Sequence, residues 1–130
     1  MASVEDLIPH RAPWLLVDRV IEAGEGRVRA EKTVTADDPL VADGLPELLL
    51  VEALAQAAAC VRGSEHGQHR GFLVAASRFE FSRRVRAGET LTLRAERTAT
   101  LGALHRFSAE AAVGEERICR GELSFAIEVE

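Results

Sequence analysis

Residues 45–61 read LPELLLVEALAQAAACV, with only Glu47, Glu52 and Gln56 polar among the seventeen. Pro46 and Glu47 suit the first turn of a helix, where a missing N–H costs nothing and the macrodipole favours an acid. The rest is apolar nearly all round, so the helix must be covered on most of its sides. Glu52 and Gln56 lie four residues apart and therefore share one stripe. An ionised carboxylate in such surroundings is costly unless it is paired or hydrogen-bonded. Two readings follow for Glu52. One is a structural pair with an arginine. The other is a carboxyl whose pKa burial raises, able to give or take a proton near neutral pH. Gln56 reads as a tie to a loop carbonyl. The helix is predicted to run to about Arg62, followed by a polar loop, GSEHGQHRG.

Outward from this helix the chain reads as β-structure. Ser3 caps a short N-terminal helix with Glu5 and Asp6 in its first turn, and Pro9 ends it. WLLVDRVIEAGEGRVRAEKTVT, from Trp14, predicts two strands joined by a turn at Gly24 to Gly26. Residues 71–82 form a strand. Leu91, Leu93 and Ala95 alternate with polar residues. So do His105, Phe107, Ala109, Ala111 and Val113, and then Cys119, Gly121, Leu123, Phe125, Ile127 and Val129. Turns at Leu101 to Ala103 and Gly114 to Glu116 imply antiparallel pairing. Five or six curved antiparallel strands wrapped around one long apolar helix make an α+β hot-dog arrangement, expected as a single domain over residues 1–130.

Composition narrows the function. The net charge of −5 and an aromatic content of 5% with no Tyr argue against nucleic-acid or anionic-membrane binding. The first residues, MASVEDLIPHR, lack the apolar core of a signal peptide, so a cytoplasmic location is expected. Cys60 and Cys119 have no metal-ligand spacing and read as free buried thiols. EHGQH, holding His66 and His69, does not match a helical zinc pair, and no metal is expected. His105, on an apolar strand face, reads as a satisfied core histidine, and Asp18 as an ion-pair partner of an arginine.

Three blocks carry a family resemblance. LIPHRAPWLLVDRV resembles the opening of the 3-hydroxyacyl-acyl-carrier-protein dehydratases, LPELLLVEALAQAAA their central helix, and FLVAASRFEFSRRVRAGETLTL their Phe-x-Arg-x-Val strand end. The blocks occur in the family's order and span most of the chain. The resemblance implies dimers of hot-dogs, with an acyl chain on a phosphopantetheine arm entering at the dimer interface and no other cofactor. It also implies an acid on the central helix, which Glu52 matches, facing a His. Gln56 matches the family's helix Gln. The family's loop His falls on Ala42, in VADGLP, and Glu47 stands where the family has Gly. In this the chain resembles the divergent dehydratase-like proteins of aryl-polyene-type pathways, which keep the Pro-His-Arg block and the helix Glu.

The implied activity is dehydration of 3-hydroxyacyl thioesters of acyl carrier protein or coenzyme A, with Glu52 as acid/base and His10 as its proton-transfer partner. Backbone amides near Gly44 and Leu45 would polarise the thioester carbonyl. Arg83, within the cluster Arg78, Arg83, Arg84 and Arg86, would dock an acidic carrier or a pantetheine phosphate. Two alternatives stay open. One is a thioesterase on the same scaffold, in which the helix carboxylate acts without a His. The other is an inactive subunit that pairs with an active paralogue. The dimer could thus be homotypic or heterotypic.

Overall fold

A computed structural model describes residues 3–11, 14–38, 44–66 and 71–127. The elements are α1 (Val4–Leu7), β1 (Arg19–Gly24), β2 (Arg27–Thr33), α2 (Glu47–His66), β3 (Gly71–Phe81), β4 (Thr90–Leu101), β5 (Leu104–Val113) and β6 (Glu116–Ile127). The six strands form one antiparallel sheet in the order β1-β2-β4-β5-β6-β3. Its inner face packs on α2, as in the hot-dog fold.

Sequence alternation accounts for the sheet. Leu91 and Leu93 on β4, Ala109 and Ala111 on β5, and Cys119 and Leu123 on β6 are all essentially buried, and they meet Ala53, Leu54, Ala57, Ala58 and Val61 of the helix. Both cysteines are free and buried, and burial pushes the Cys60 thiol up to about 12. The β1–β2 turn places Glu25 and Gly26 at positive φ (55° and 78°), which suits a two-residue hairpin loop. The Ser3 hydroxyl and the Asp6 carboxylate cap α1 reciprocally.

Three local departures have physical causes. Regular strand begins at Arg19, not Trp14, because the Trp14 carbonyl and the Leu16 N–H are bonded to the Gln56 amide instead of to a neighbouring strand. The helix continues past Arg62 to His66. Gly63 permits this, since a Cβ there would lie 2.1 Å from the Leu7 carbonyl oxygen, where α1 crosses the helix. Asp18 accepts the Thr33 N–H at 2.6 Å rather than pairing with an arginine.

β3 stands apart from the other strands. It is one of the sheet's two edge strands, with β1 at the other side, and Phe72, Leu73 and Val74 are 55%, 40% and 55% exposed. Its pairing with β6 shifts register between Leu73 and Ala75, and a bulge between Ser77 and Glu80, with Arg78 at φ 58°, ends its apolar half.

Candidate active site

Small side chains on one stripe of α2 leave a cavity of about 370 Å³ between the helix, α1 and the ends of β3, β5 and β6. Glu52, Ala55, Gln56, Ala59, Arg62 and Gly63 line it at three- and four-residue spacing, so a single helix face forms one wall. Phe72, Leu73, Phe107, Phe125 and Ile127 close the opposite side. Apolar walls with a few convergent polar groups are the usual makeup of a small-molecule site.

His10 and Glu52 both line this cavity. His10 Nε2 stands 3.6 Å from Glu52 Oε1, and the two side chains are 34% and 41% exposed. α1 and its exit at Pro9 carry His10 to the helix, because Leu7 and Ile8 are buried beside it. The other ring nitrogen, Nδ1, is buried and has no hydrogen-bond partner among the described residues. Gln56 is 1% exposed and fully used. Its Oε1 accepts the Leu16 N–H at 2.7 Å, while its Nε2 donates to the Trp14 carbonyl at 2.8 Å and to Glu52 Oε1 at 3.3 Å. These partners settle the amide's orientation. Gln56 therefore ties the Trp14–Leu16 segment to the helix and aims the carboxylate.

The expectation of a raised Glu52 pKa is corrected. Interaction with His10, joined by the Gln56 amide, outweighs desolvation and holds the carboxyl below its ordinary value. Glu52 is thus ionised at neutral pH, and its partner is a histidine, not an arginine.

Other sequence-predicted residues lie elsewhere. Leu45 is buried, and its N–H donates to the Val85 carbonyl at 2.9 Å, so that amide is unavailable to a thioester. Gly44, at φ 91°, serves the same close approach, since a Cβ would sit 2.6 Å from the Val85 oxygen. Ala42 and His69 fall outside the described residues. Arg83 does not line the cavity. Its guanidinium grips Glu89 at 2.8 Å through both terminal nitrogens, reaches Glu116 through Nε and Nη2, and donates to the Arg84 carbonyl. That satisfies the whole donor fork and brackets the turn before β4. His105 is half-buried and lines the cavity, its Nδ1 3.5 Å from Arg97 Nη1. Arg97 in turn binds Glu65 and lies over the Phe107 ring.

Sequence reading missed the β3 contribution from Phe72 and Leu73. An apolar run in a strand signals burial, but not whether the strand is central or at an edge. Among the described residues no helix is long and apolar enough to cross a membrane.

Comparisons with known proteins bear on this geometry. A hypothetical thioesterase with coenzyme A from Streptococcus pneumoniae shares the fold, with a TM-score of 0.73 at 13% identity over 86% of each chain. One chain of the dehydratase heterocomplex ApeI:P from Xenorhabdus doucetiae superposes with a TM-score of 0.90, at 20% identity, over 100% of this chain and 93% of that one. The 3-hydroxyacyl-[acyl-carrier-protein] dehydratase FabZ of Clostridioides difficile is 38% identical over 134 aligned residues, covering 96% of this chain and 94% of that protein. The family described as ApeP-like, ApeP dehydratase, matches residues 2–127. With a family match over residues 2–127, nearly its whole length, the chain belongs to the ApeP-like dehydratase family.

Proposed function

We propose that the protein dehydrates 3-hydroxyacyl thioesters to 2-enoyl thioesters, in fatty-acid-type synthesis, with the His10–Glu52 pair moving the protons. The observation that carries this reading is that pair, 3.6 Å apart on the wall of an apolar cavity. Glu52, ionised by its neighbours, accepts the α-proton. The Cα–C3 double bond forms as the C3–O bond breaks, and protonated His10 gives its proton to the departing hydroxyl, releasing water. Transfer of the captured proton from Glu52 to His10 across the short gap resets both groups. The acyl chain lies along the alanine stripe of α2. Acyl carrier protein is the favoured carrier, because the FabZ relative is named for substrates on that protein.

A second hot-dog subunit completes the site. β3 offers an unpaired apolar edge beside the cavity, and Leu48, in the first turn of α2, is 79% exposed. The Leu45 amide is spent within the chain, so of the two expected donors the Gly44 amide is the one left for the thioester carbonyl. The heterocomplex neighbour supports a related subunit as that partner. Val74→Lys should shift the protein to monomer in size-exclusion chromatography with light scattering. An unchanged mass would count against the β3 contact.

The test of activity is mass spectrometry of the protein with a short 2-enoyl pantetheine thioester. Gain of one water with the thioester intact is expected. Release of free thiol would instead assign a thioesterase. No reaction in either the isolated protein or its complex with a related subunit would remove the catalytic reading.

A further inference from the structure

The outer face of the sheet carries charged residues that the cavity chemistry does not use. Strand register sets Glu22, Arg29, Arg94, Glu110, Arg120 and Glu80 in one cross-strand row. Arg29 and Arg94 are therefore directly opposite, a like-charged pairing that sheets ordinarily avoid. Their neighbours relieve it only weakly. Glu22 lies 3.8 Å from Arg29 Nε, and Glu110 is engaged by Arg117 at 3.9 Å. Among the described residues, Arg94 and Arg120 have no side-chain hydrogen bond or ion pair. Among the described residues Arg29 Nε, itself shielded from solvent, makes no hydrogen bond, and Glu22 reaches it only as an ion pair. All three arginines line one groove of about 810 Å³, together with Arg27 and Arg117.

We propose that this groove binds a phosphoryl-type oxyanion held between the guanidiniums of Arg29 and Arg94. Planar guanidiniums match the oxygen spacing of phosphate, and a dianion between them turns repulsion into charge-assisted hydrogen bonds. Ser108, on the groove wall, adds a hydroxyl. The flanking carboxylates limit the size of the anion. Glu22 and Glu110 bound the arginine pair on either side of the row, and Glu25 and Glu96 also line the groove. A compact anion fits between them, whereas an extended acidic protein surface would meet all four.

The experiment is calorimetric titration of the full chain with inorganic pyrophosphate at low ionic strength, with melting curves alongside. Saturable binding and a rise in melting temperature are expected. Arg94→Gln should weaken binding roughly tenfold, about the loss of one charge-assisted contact. Its melting temperature without the anion should be no lower than the parent's, because the opposed charge is gone. Arg29→Gln should repeat the loss, so a single misfolded variant does not decide the result. Arg78→Gln, at the 82% exposed bulge residue, should bind like the parent. ADP titrated in parallel separates the sources: tighter binding than pyrophosphate assigns a nucleotide diphosphate, and equal or weaker binding assigns free phosphate. The proposal is overturned by absent saturation, or by equal weakening in Arg78→Gln and Arg94→Gln. Binding of poly-glutamate that pyrophosphate does not displace would also overturn it.

Discussion

Two surface-reaching carboxylates, one at each end of the molecule's chemistry, invite comparison. Glu89 sits before β4 and is held down to about 2, chiefly by the Arg83 guanidinium and then by the Arg86 backbone N–H. Glu52 sits on α2 and is also held below its ordinary value, chiefly by His10. By pKa alone Glu89 looks the more specialised. Its oxygens, however, are committed at 2.8 Å to both terminal nitrogens of Arg83 and to the Arg86 amide. Glu52 has a looser histidine contact and one amide, and it faces an apolar cavity. A depressed pKa reports a strong neighbour. Unspent bonding capacity facing a cavity marks where a substrate can be handled.

The comparison breaks most visibly on Glu52. Glu52→Gln should reduce hydration of an enoyl thioester by about 10²–10⁴-fold while the fold persists by circular dichroism. His10→Ala should do the same, and the double variant should be little worse than either, since paired groups fail together. A Glu52→Gln protein with parental turnover would make the two carboxylates equivalent. Because Glu52 is held below its ordinary value, the acid limb of kcat/KM should lie on the acid side of an ordinary glutamate's, as the carboxylate takes up its proton.

Gln56→Leu comes next. It strands the Trp14 carbonyl and the Leu16 N–H in a buried setting and should cost about 1–3 kcal/mol in urea unfolding. A neutral result would mean that the segment holds itself in place without the amide.

The acid-side linkage of Glu89 is smaller. Its folded pKa of about 2 lies below the ordinary value of 4.5, so the stability it contributes is present above about pH 4.5 and fades as pH falls toward about 2. Solvent screens this exposed network, which keeps the effect modest. Glu89→Gln should flatten stability against pH within that window, followed by melting temperature. The smallest change is predicted for Arg83→Met, which should leave kcat/KM unchanged. A marked loss of carrier-linked turnover there would restore Arg83 to a docking role.

Much of this molecule was legible one residue at a time. Period-two alternation in β4, β5 and β6 and the all-round apolar character of residues 48–61 demand a sheet wrapped on a helix, because no other arrangement buries both patterns. The four-residue spacing of Glu52 and Gln56 places both on one stripe by helix geometry alone. The resemblance of the three blocks then made His10 a candidate, though it lies 42 positions before Glu52.

What tertiary structure alone decided concerns partners. Arg83 and the Leu45 amide look available in sequence, yet Glu89, Glu116 and the Val85 carbonyl consume them. The direction of the Glu52 shift depended on a balance between desolvation and two neighbours, one of them far away in the chain. The exposure of β3 followed from its edge position, which no periodicity encodes. The opposed arginines of the outer face emerged only from strand register. Sequence determines which residues can be buried and on which face, because periodicity is local. Which donor meets which acceptor is set by the closing of distant segments on one another, and the chemistry of the site depends on that pairing.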